Sequence, residues 1–421
     1  MKKLSANPWF IFLPFLLIYT ALAALGHRDV MEGDEGRYYM FAQNLAQGFY
    51  SPKEALNLWN GPGYPLVLVP FVLLKTPLVL PVMLNGLFQY VSVVMLYQSL
   101  RLLVSKQLSI VFSLLWAFYY VAYKELAWLY TEPLSSCLMN VFLFYLIRSG
   151  LPSGRTRDAW IAGLFFGYLA LTKIIFGYVT LFLLMGTSLL LLLKRNERMK
   201  QYFLTWLIAF LVNIPYLLYT FQLTGKPLYW ANSGGMSFYW ASTPVDGEFG
   251  DWNDDHFTAY CGYDSTQPCN AAQFAVHHQA DYNRIFRLQG VERDEAFRQQ
   301  AWQNIRQHPV KYLKNCIANA GRLFFGIPFS YHYFRMAQLM RIPPGALVFF
   351  LFNFSCISCF YFRGKAAPWW WIMLSVLFLF LGGTLAVSAY QRMLTVVVPL
   401  ILLLSAVASA NWLQRLRSPA K

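Results

Sequence analysis

The sequence predicts an all-α polytopic membrane protein with about ten transmembrane helices, external amphipathic helices and a large external loop. Three observations predict it. Of the 421 residues, 57% are hydrophobic and 13% charged, at a mean hydropathy of +0.40, whereas soluble domains carry about 25% charge. Apolar runs near the roughly 20-residue length of a membrane span recur along the chain. Alternating ten-residue segments, the mark of a β-barrel, are absent.

The spans are expected near 8–26, 78–100, 107–123, 132–148, 158–173, 174–193, 201–220, 345–362, 368–388 and 393–412. The first follows Lys2 and Lys3 in the manner of a signal peptide. Gly26-His27-Arg28 makes a poor cleavage site, so this run reads as a retained span. With the N-terminus inside, the short loops hold Arg101, Lys106, Arg148, Arg155, Arg157, Lys194, Arg195, Arg198 and Lys200 against only Asp158 and Glu197. The positive-inside rule then makes both termini cytoplasmic. It also accounts for the net charge of +15 without nucleic acid. The segment 64–74 (YPLVLVPFVLL) is apolar but too short to cross comfortably. A crossing there would turn the later basic clusters outward, so it reads as a re-entrant or surface helix.

This organisation divides the chain into 1–220, an N-terminal transmembrane region with an external loop at 27–77; 221–344, a large periplasmic loop; and 345–421, the C-terminal helices. The large loop is rich in Tyr, Trp, Asn, Asp and Gln. Within it, 291–325 reads as a helix, with Phe297, Ala301, Ile305, Leu313, Ile317, Ala320 and Phe324 mostly at spacings of three or four. Pro309 is expected to kink or divide it, and the helix to lie on the membrane surface. Cys261 and Cys269, in CGYDSTQPC, are candidates for a disulfide in an oxidising compartment. Cys137, Cys356 and Cys359 fall in spans and read as packing residues. The acidic run Asp251, Asp254 and Asp255 reads as solvated loop rather than a metal site.

Polar residues gather at the external ends of the spans. Gly33-Asp34-Glu35-Gly36-Arg37-Tyr38-Tyr39 opens a helix that Gly48 ends, and acidic residues also suit a first helical turn. Asn60-Gly61-Pro62-Gly63-Tyr64-Pro65 is a rigid turn leading back to the bilayer. Lys124, Glu125, Tyr130, Thr131 and Glu132 lie between the third and fourth spans, Lys173 at a hairpin tip, and Tyr390-Gln391-Arg392 in the last external turn. Snorkelling and interfacial anchoring are the ordinary readings of Lys173 and Arg392 taken singly. Together they suggest a cationic site suited to an anionic lipid headgroup.

DEGRYYMFAQNL resembles the DExRYxxxA signature of the GT-C glycosyltransferases that use polyprenyl-phosphate sugars. GPGYPL resembles that superfamily's PPLYPL segment, and WLYTEPL (128–134) and GLFFGYLALTK (163–173) resemble its later landmarks. LYWANSGGMSFYWASTPVDGEFG and AWQNIRQHPVKYL are similar to stretches of the large loop of many bacterial members of this group, which includes the protein O-mannosyltransferases and the lipid A aminoarabinose transferase. Gly61 departs from the first proline of the PPLY segment, and Gln391-Arg392-Met393 from the usual terminal Arg-Tyr pair. The resemblance implies a GT-C fold and an inverting hexosyl- or pentosyltransferase of the bacterial inner membrane. It implies Asp34 as the base, with Glu35, Arg37, Tyr38, Tyr64, Glu132, Lys173 and Arg392 binding substrate. The expected partners are a polyprenyl-phosphate-linked sugar, a glycan, lipid or protein acceptor, and membrane lipids. The resemblance names no certain cofactor and leaves a divalent metal, shared by Asp34 and Glu132, open. A polysaccharide polymerase or a transporter of lipid-linked saccharide is the alternative.

Overall fold

The computed structural model describes residues 7–193, 197–252, 271–330, 336–365 and 367–417. Cys261, Cys269, Asp254 and Asp255 lie outside the described residues. Among the described residues every regular element is a helix.

Helices lie over the ten expected spans, in two pieces at 8–26, 107–123 and 393–412. Six are long and apolar enough to cross a membrane: Val79–Arg101, Ile175–Leu193, Arg198–Thr224, Ile342–Tyr361, Pro368–Val387 and Val398–Arg417. Lys106–Ala117 and Tyr120–Ala127 qualify together as one broken span, bent by 43°. Ten crossings are therefore not established. Leu13–Gly26 and Thr156–Thr172, at 14 and 17 residues, fall short in length, and the third has a different reason. The helix Glu132–Gly150 runs through the middle of the bundle, packed on Val79–Arg101 and Thr156–Thr172 and buried on nearly every side. Its neighbours are protein, and its Ser136 and Asn140 find hydrogen-bond partners inside the bundle. Asn140 donates to Ser92 Oγ at 2.7 Å, and Trp116 Nε1 to the same oxygen at 2.9 Å. Such bonds join helices that hydrophobicity alone cannot drive together within a bilayer.

Small residues close the next interface. The helix Thr156–Thr172 packs along Glu197–Thr224 through Gly163 and Gly167. A Cβ at Gly163 would stand 2.6 Å from the Thr205 carbonyl oxygen, and one at Gly167 2.8 Å from that of Ala209. The four-residue spacing places both on one helix face, the small-xxx-small pattern of close membrane crossings.

The apolar segment after the Asn60 turn forms the helix Gly63–Leu73. Its 11 residues rise about 16 Å, half the hydrocarbon thickness. It packs on the helices Asp34–Ala46 and Thr156–Thr172.

Within 221–344, Met236, Tyr239, Trp240, Ile285 and Phe297 make a separate small core. It joins the helices Gly234–Ala241, Ala271–Ile285 and Gly290–Gln307. The helix expected over 291–325 is divided at Pro309, as anticipated, into Gly290–Gln307 and Pro309–Phe325, where His308 leaves helical geometry and Pro309 starts anew. Their apolar residues do not share a face. Phe297 and Ala301 are fully buried, while Leu313 and Ile317 are exposed.

Candidate active site

Asp34 begins the helix Asp34–Ala46, and Gly33 before it has φ +59°, a conformation open to glycine and strained for other residues. The neighbouring carboxylates have opposite fates. Glu35 is 4% exposed. Its Oε2 accepts from the Glu32 backbone N–H at 3.0 Å and its Oε1 from that of Leu129 at 2.7 Å. Glu35 thereby ties the start of its helix to the loop ahead of Glu132–Gly150.

Asp34 instead meets cations. Arg37, one turn on, donates from Nη2 to Oδ1, and Arg392 donates from Nη2 to Oδ2 at 2.6 Å. Burial alone would raise the Asp34 pKa. The guanidinium of Arg392, then that of Arg37, outweighs it and holds the carboxyl below its ordinary value. Both arginines lie over aromatic rings, Arg37 4.8 Å from the Trp59 centroid and Arg392 4.9 Å from that of Tyr130. Arg37 Nε also donates to Asn60 Oδ1 at 2.8 Å, and Asn60 Nδ2 to the Tyr38 hydroxyl at 3.2 Å. Tyr38 packs edge-on to Tyr64 at 5.4 Å.

Lys173 caps the end of Thr156–Thr172 and donates to Glu132 Oε1 at 2.7 Å. The sequence offers no nearby acid for Lys173 and leads to the expectation that a bound phosphate alone would balance it. The structure corrects this. Folding brings Glu132 to it from the first turn of the central helix, with that side chain 2% exposed against 20% for the lysine. Asp34, at 20%, and Arg392, at 32%, are the more open pair.

The glycines of the Asn60 turn explain the departure at Gly61. A Cβ there would stand 2.0 Å from the Leu171 carbonyl oxygen, and one at Gly63 2.4 Å from Thr172 Oγ1. The turn is pressed against the segment that ends in Lys173, leaving no room for a proline ring.

Gln391 fills the place beside Arg392. It is 4% exposed, and its amide nitrogen donates to the carbonyls of Phe324 at 3.1 Å and Arg341 at 2.9 Å. It fixes the turn that carries Arg392. Its role, and those of Asn60 and Trp59, lie in long-range contacts without a local sequence signal.

The site thus unites Asp34, Arg37, Glu132, Lys173 and Arg392 with Tyr38 and Tyr64 behind them, and sets Glu35 into the supporting structure. Each of its three cations faces a carboxylate. Among the described residues no three His, Cys, Asp or Glu side chains converge as a metal site. Asp251 belongs to a different contact, its Oδ1 accepting from the Ser330 backbone N–H at 3.1 Å.

No protein-family model matches this chain, and no curated protein matches it. Solved structures do. The Archaeoglobus fulgidus oligosaccharyltransferase tethered to an acceptor peptide is 12% identical with a TM-score of 0.52, over 99% of this chain and 51% of that one. The same enzyme in complex with Zn and sulfate is 13% identical with a TM-score of 0.50, over 97% and 49%. ArnT from Cupriavidus metallidurans bound to undecaprenyl phosphate is 12% identical with a TM-score of 0.42, over 97% and 79%. The chain spans about half the length of the archaeal chains it matches. At these identities the likeness concerns the fold, which is the GT-C fold.

Proposed function

We propose that this chain is an integral-membrane glycosyltransferase that moves a sugar from a polyprenyl-phosphate donor to an acceptor at the periplasmic face, with inversion at the anomeric carbon. The observation that carries the reading is the Asp34–Arg392 pair. The chain brings a partly exposed carboxylate and a partly exposed guanidinium 358 positions apart to 2.6 Å, with a lysine held nearby by its own carboxylate. The fold and the ordered sequence landmarks support the donor class.

The chemistry follows from the charges. The donor already carries its leaving group. Arg392 and Lys173 are the groups to hold its phosphate, and their positive charge stabilises the negative charge that grows as the bond to the anomeric carbon breaks. An arriving phosphate competes with Asp34 for Arg392 and with Glu132 for Lys173. Sharing Arg392 releases one Asp34 oxygen toward the acceptor. Asp34 takes the acceptor's proton as the acceptor oxygen or nitrogen bonds to the anomeric carbon and polyprenyl phosphate departs. A single carboxylate base, without a covalent sugar intermediate, gives inversion. Arg37 holds the other Asp34 oxygen and is braced by Trp59 and Asn60. Glu35 acts as a positioning residue. The donor's sugar, a hexose or a pentose, and the acceptor, a glycan, lipid or protein, are left to the assay.

The test is to reconstitute the full chain in proteoliposomes with a panel of polyprenyl-phosphate sugars and candidate acceptors. The expected result is acceptor-dependent release of polyprenyl phosphate, with the anomeric configuration of the product inverted. Consumption of a nucleotide sugar instead, or a product of retained configuration, would overturn the donor or the displacement respectively.

A further inference from the structure

The helix Pro309–Phe325 is inside out. Asn315, Asn319 and Arg322 recur at spacings of four and three, which places them on one side, and that side is buried. Val310, Leu313 and Ile317 recur at three and four on the opposite side and are 67%, 61% and 65% exposed. A helix packed onto a protein surface in water has the reverse arrangement.

The buried polar side is engaged with backbone. Asn315 donates to the carbonyls of Ala241 at 3.1 Å and Thr243 at 3.0 Å. Asn319 donates to the Leu385 carbonyl at 2.8 Å, and the Tyr312 hydroxyl to that of Ala386 at 2.8 Å. Arg322 donates to Pro328 and Phe249 carbonyls at 2.9 and 3.0 Å. The helix cannot roll its apolar side inward without breaking these bonds in a buried setting.

The contacts also set its depth. Leu385 and Ala386 belong to the last turn of Pro368–Val387, one of the six helices able to cross a membrane. The helix therefore sits at the end of a span. At its C-terminal end Phe324 and Phe325 pack on Phe349 of Ile342–Tyr361, at 5.1 and 5.7 Å. That second spanning helix exposes Leu347 and Phe350. The exposed apolar side is thus continuous with lipid-facing helices. Lys314, exposed beside Leu313 and Ile317, suits an anionic headgroup region.

We infer that the Val310–Leu313–Ile317 face of Pro309–Phe325 is seated in the bilayer surface, with phospholipid as its occupant. The helix then fixes the depth of the site, because the Phe324 carbonyl is held by Gln391, next to Arg392. This seating stands whether or not the chain transfers sugars.

The experiment places the photoreactive amino acid p-benzoylphenylalanine at Leu313, at Ile317 and, as a control, at Gln299 on the exposed side of Gly290–Gln307. The full chain is irradiated in native membranes, and adducts are identified by mass spectrometry. The expected result is phospholipid adducts at Leu313 and Ile317 and none at Gln299. A crosslink from Leu313 or Ile317 to another polypeptide would assign the face to a protein partner, and one to a second copy of the chain would assign it to self-association. Either overturns the inference, as would no adduct at the two positions or an equal lipid yield at Gln299.

Discussion

Asp34 and Asp294 are both carboxylates held by several partners, and the partners separate chemistry from structure. Asp294 is fully buried, and its oxygens accept from the Gly235 backbone N–H at 2.6 Å, the Tyr229 hydroxyl at 3.0 Å and Arg298, one turn on, at 2.8 Å. Two of those donors are neutral, and together they pin the Gly234–Ala241 helix and the chain before it to Gly290–Gln307. Asp34 is one-fifth exposed and, among the described residues, takes its side-chain hydrogen bonds from guanidinium groups. A buried carboxylate satisfied by backbone and phenol is a structural fixture. A partly exposed one held by long cationic side chains can exchange a partner for a substrate.

The sharpest way to break that comparison is to remove the charge at each position. Asp34→Asn keeps shape and hydrogen-bonding atoms but cannot accept the acceptor's proton. Turnover should fall about 10³-fold, with normal membrane expression and an unchanged unfolding temperature to within a few degrees. Near-normal turnover would remove Asp34 as base. The pH dependence has a definite sign. The arginines lower the Asp34 pKa in the folded chain, so its contribution to stability is present above the unfolded value of about 3.9 and is lost as pH falls through the folded value. In free enzyme the acid limb of activity should lie below the ordinary carboxylate range. Arg392→Ala should move that limb upward.

Arg392→Ala should also lower kcat about 10²-fold, as removal of one stabilising donor does. Arg392→Lys should recover only part, since charge returns without the planar guanidinium that lies over the Tyr130 ring. Lys173→Ala should lower kcat and weaken donor binding, and Lys173→Arg should retain part of the activity. A variant that raised KM alone would show that the cation binds the donor equally in ground and transition states. It would then be an anchor rather than a stabiliser of the departing phosphate.

Much of this site can be read locally, and the limit is physical. Asp34 stands in a compact motif at a helix start, so its candidacy needs no partner. Lys173 ends an apolar run and is visible as a cation. Its carboxylate is 41 positions away, and residue spacing along a chain carries no information about that. The Asn60 turn shows its Pro and Gly pattern, but the need for Gly61 arises from the Leu171 carbonyl. Helical periodicity finds a face and does not say which way it points. The helix 291–325 divides at Pro309 as expected, but Phe297 and Ala301 before the break are buried while Leu313 and Ile317 after it are exposed. Span counting meets a similar limit, because the central helix Glu132–Gly150 is shielded from lipid and can be less apolar than a span in contact with it.

Asp294→Ala tests the other side of the comparison. It leaves the Gly235 N–H and the Tyr229 hydroxyl without their acceptor. Leaving buried polar groups unpaired costs on the order of 3 kcal/mol here. Thermal unfolding should show the loss, while the folded fraction should turn over at close to the normal kcat. A large fall in kcat with unchanged stability would erase the distinction drawn between the two carboxylates.

Glu35→Gln is expected to have the smallest effect, and it asks whether adjacency to Asp34 implies a shared role. The amide oxygen of the substituted side chain can still accept from the Leu129 N–H. Its amide nitrogen then replaces the oxygen that accepted from the Glu32 N–H, so one bond is lost. That costs about 1 kcal/mol and loosens the first turn of the helix by which Asp34 is aimed. Transfer should drop a few-fold, roughly what 1 kcal/mol corresponds to in rate, with KM for the acceptor unchanged. The measurement is kcat and acceptor KM in the same proteoliposome assay used for Asp34→Asn. If Glu35→Gln proved inactive while Asp34→Asn turned over, the two carboxylates would exchange roles. Burial would then have misidentified the base.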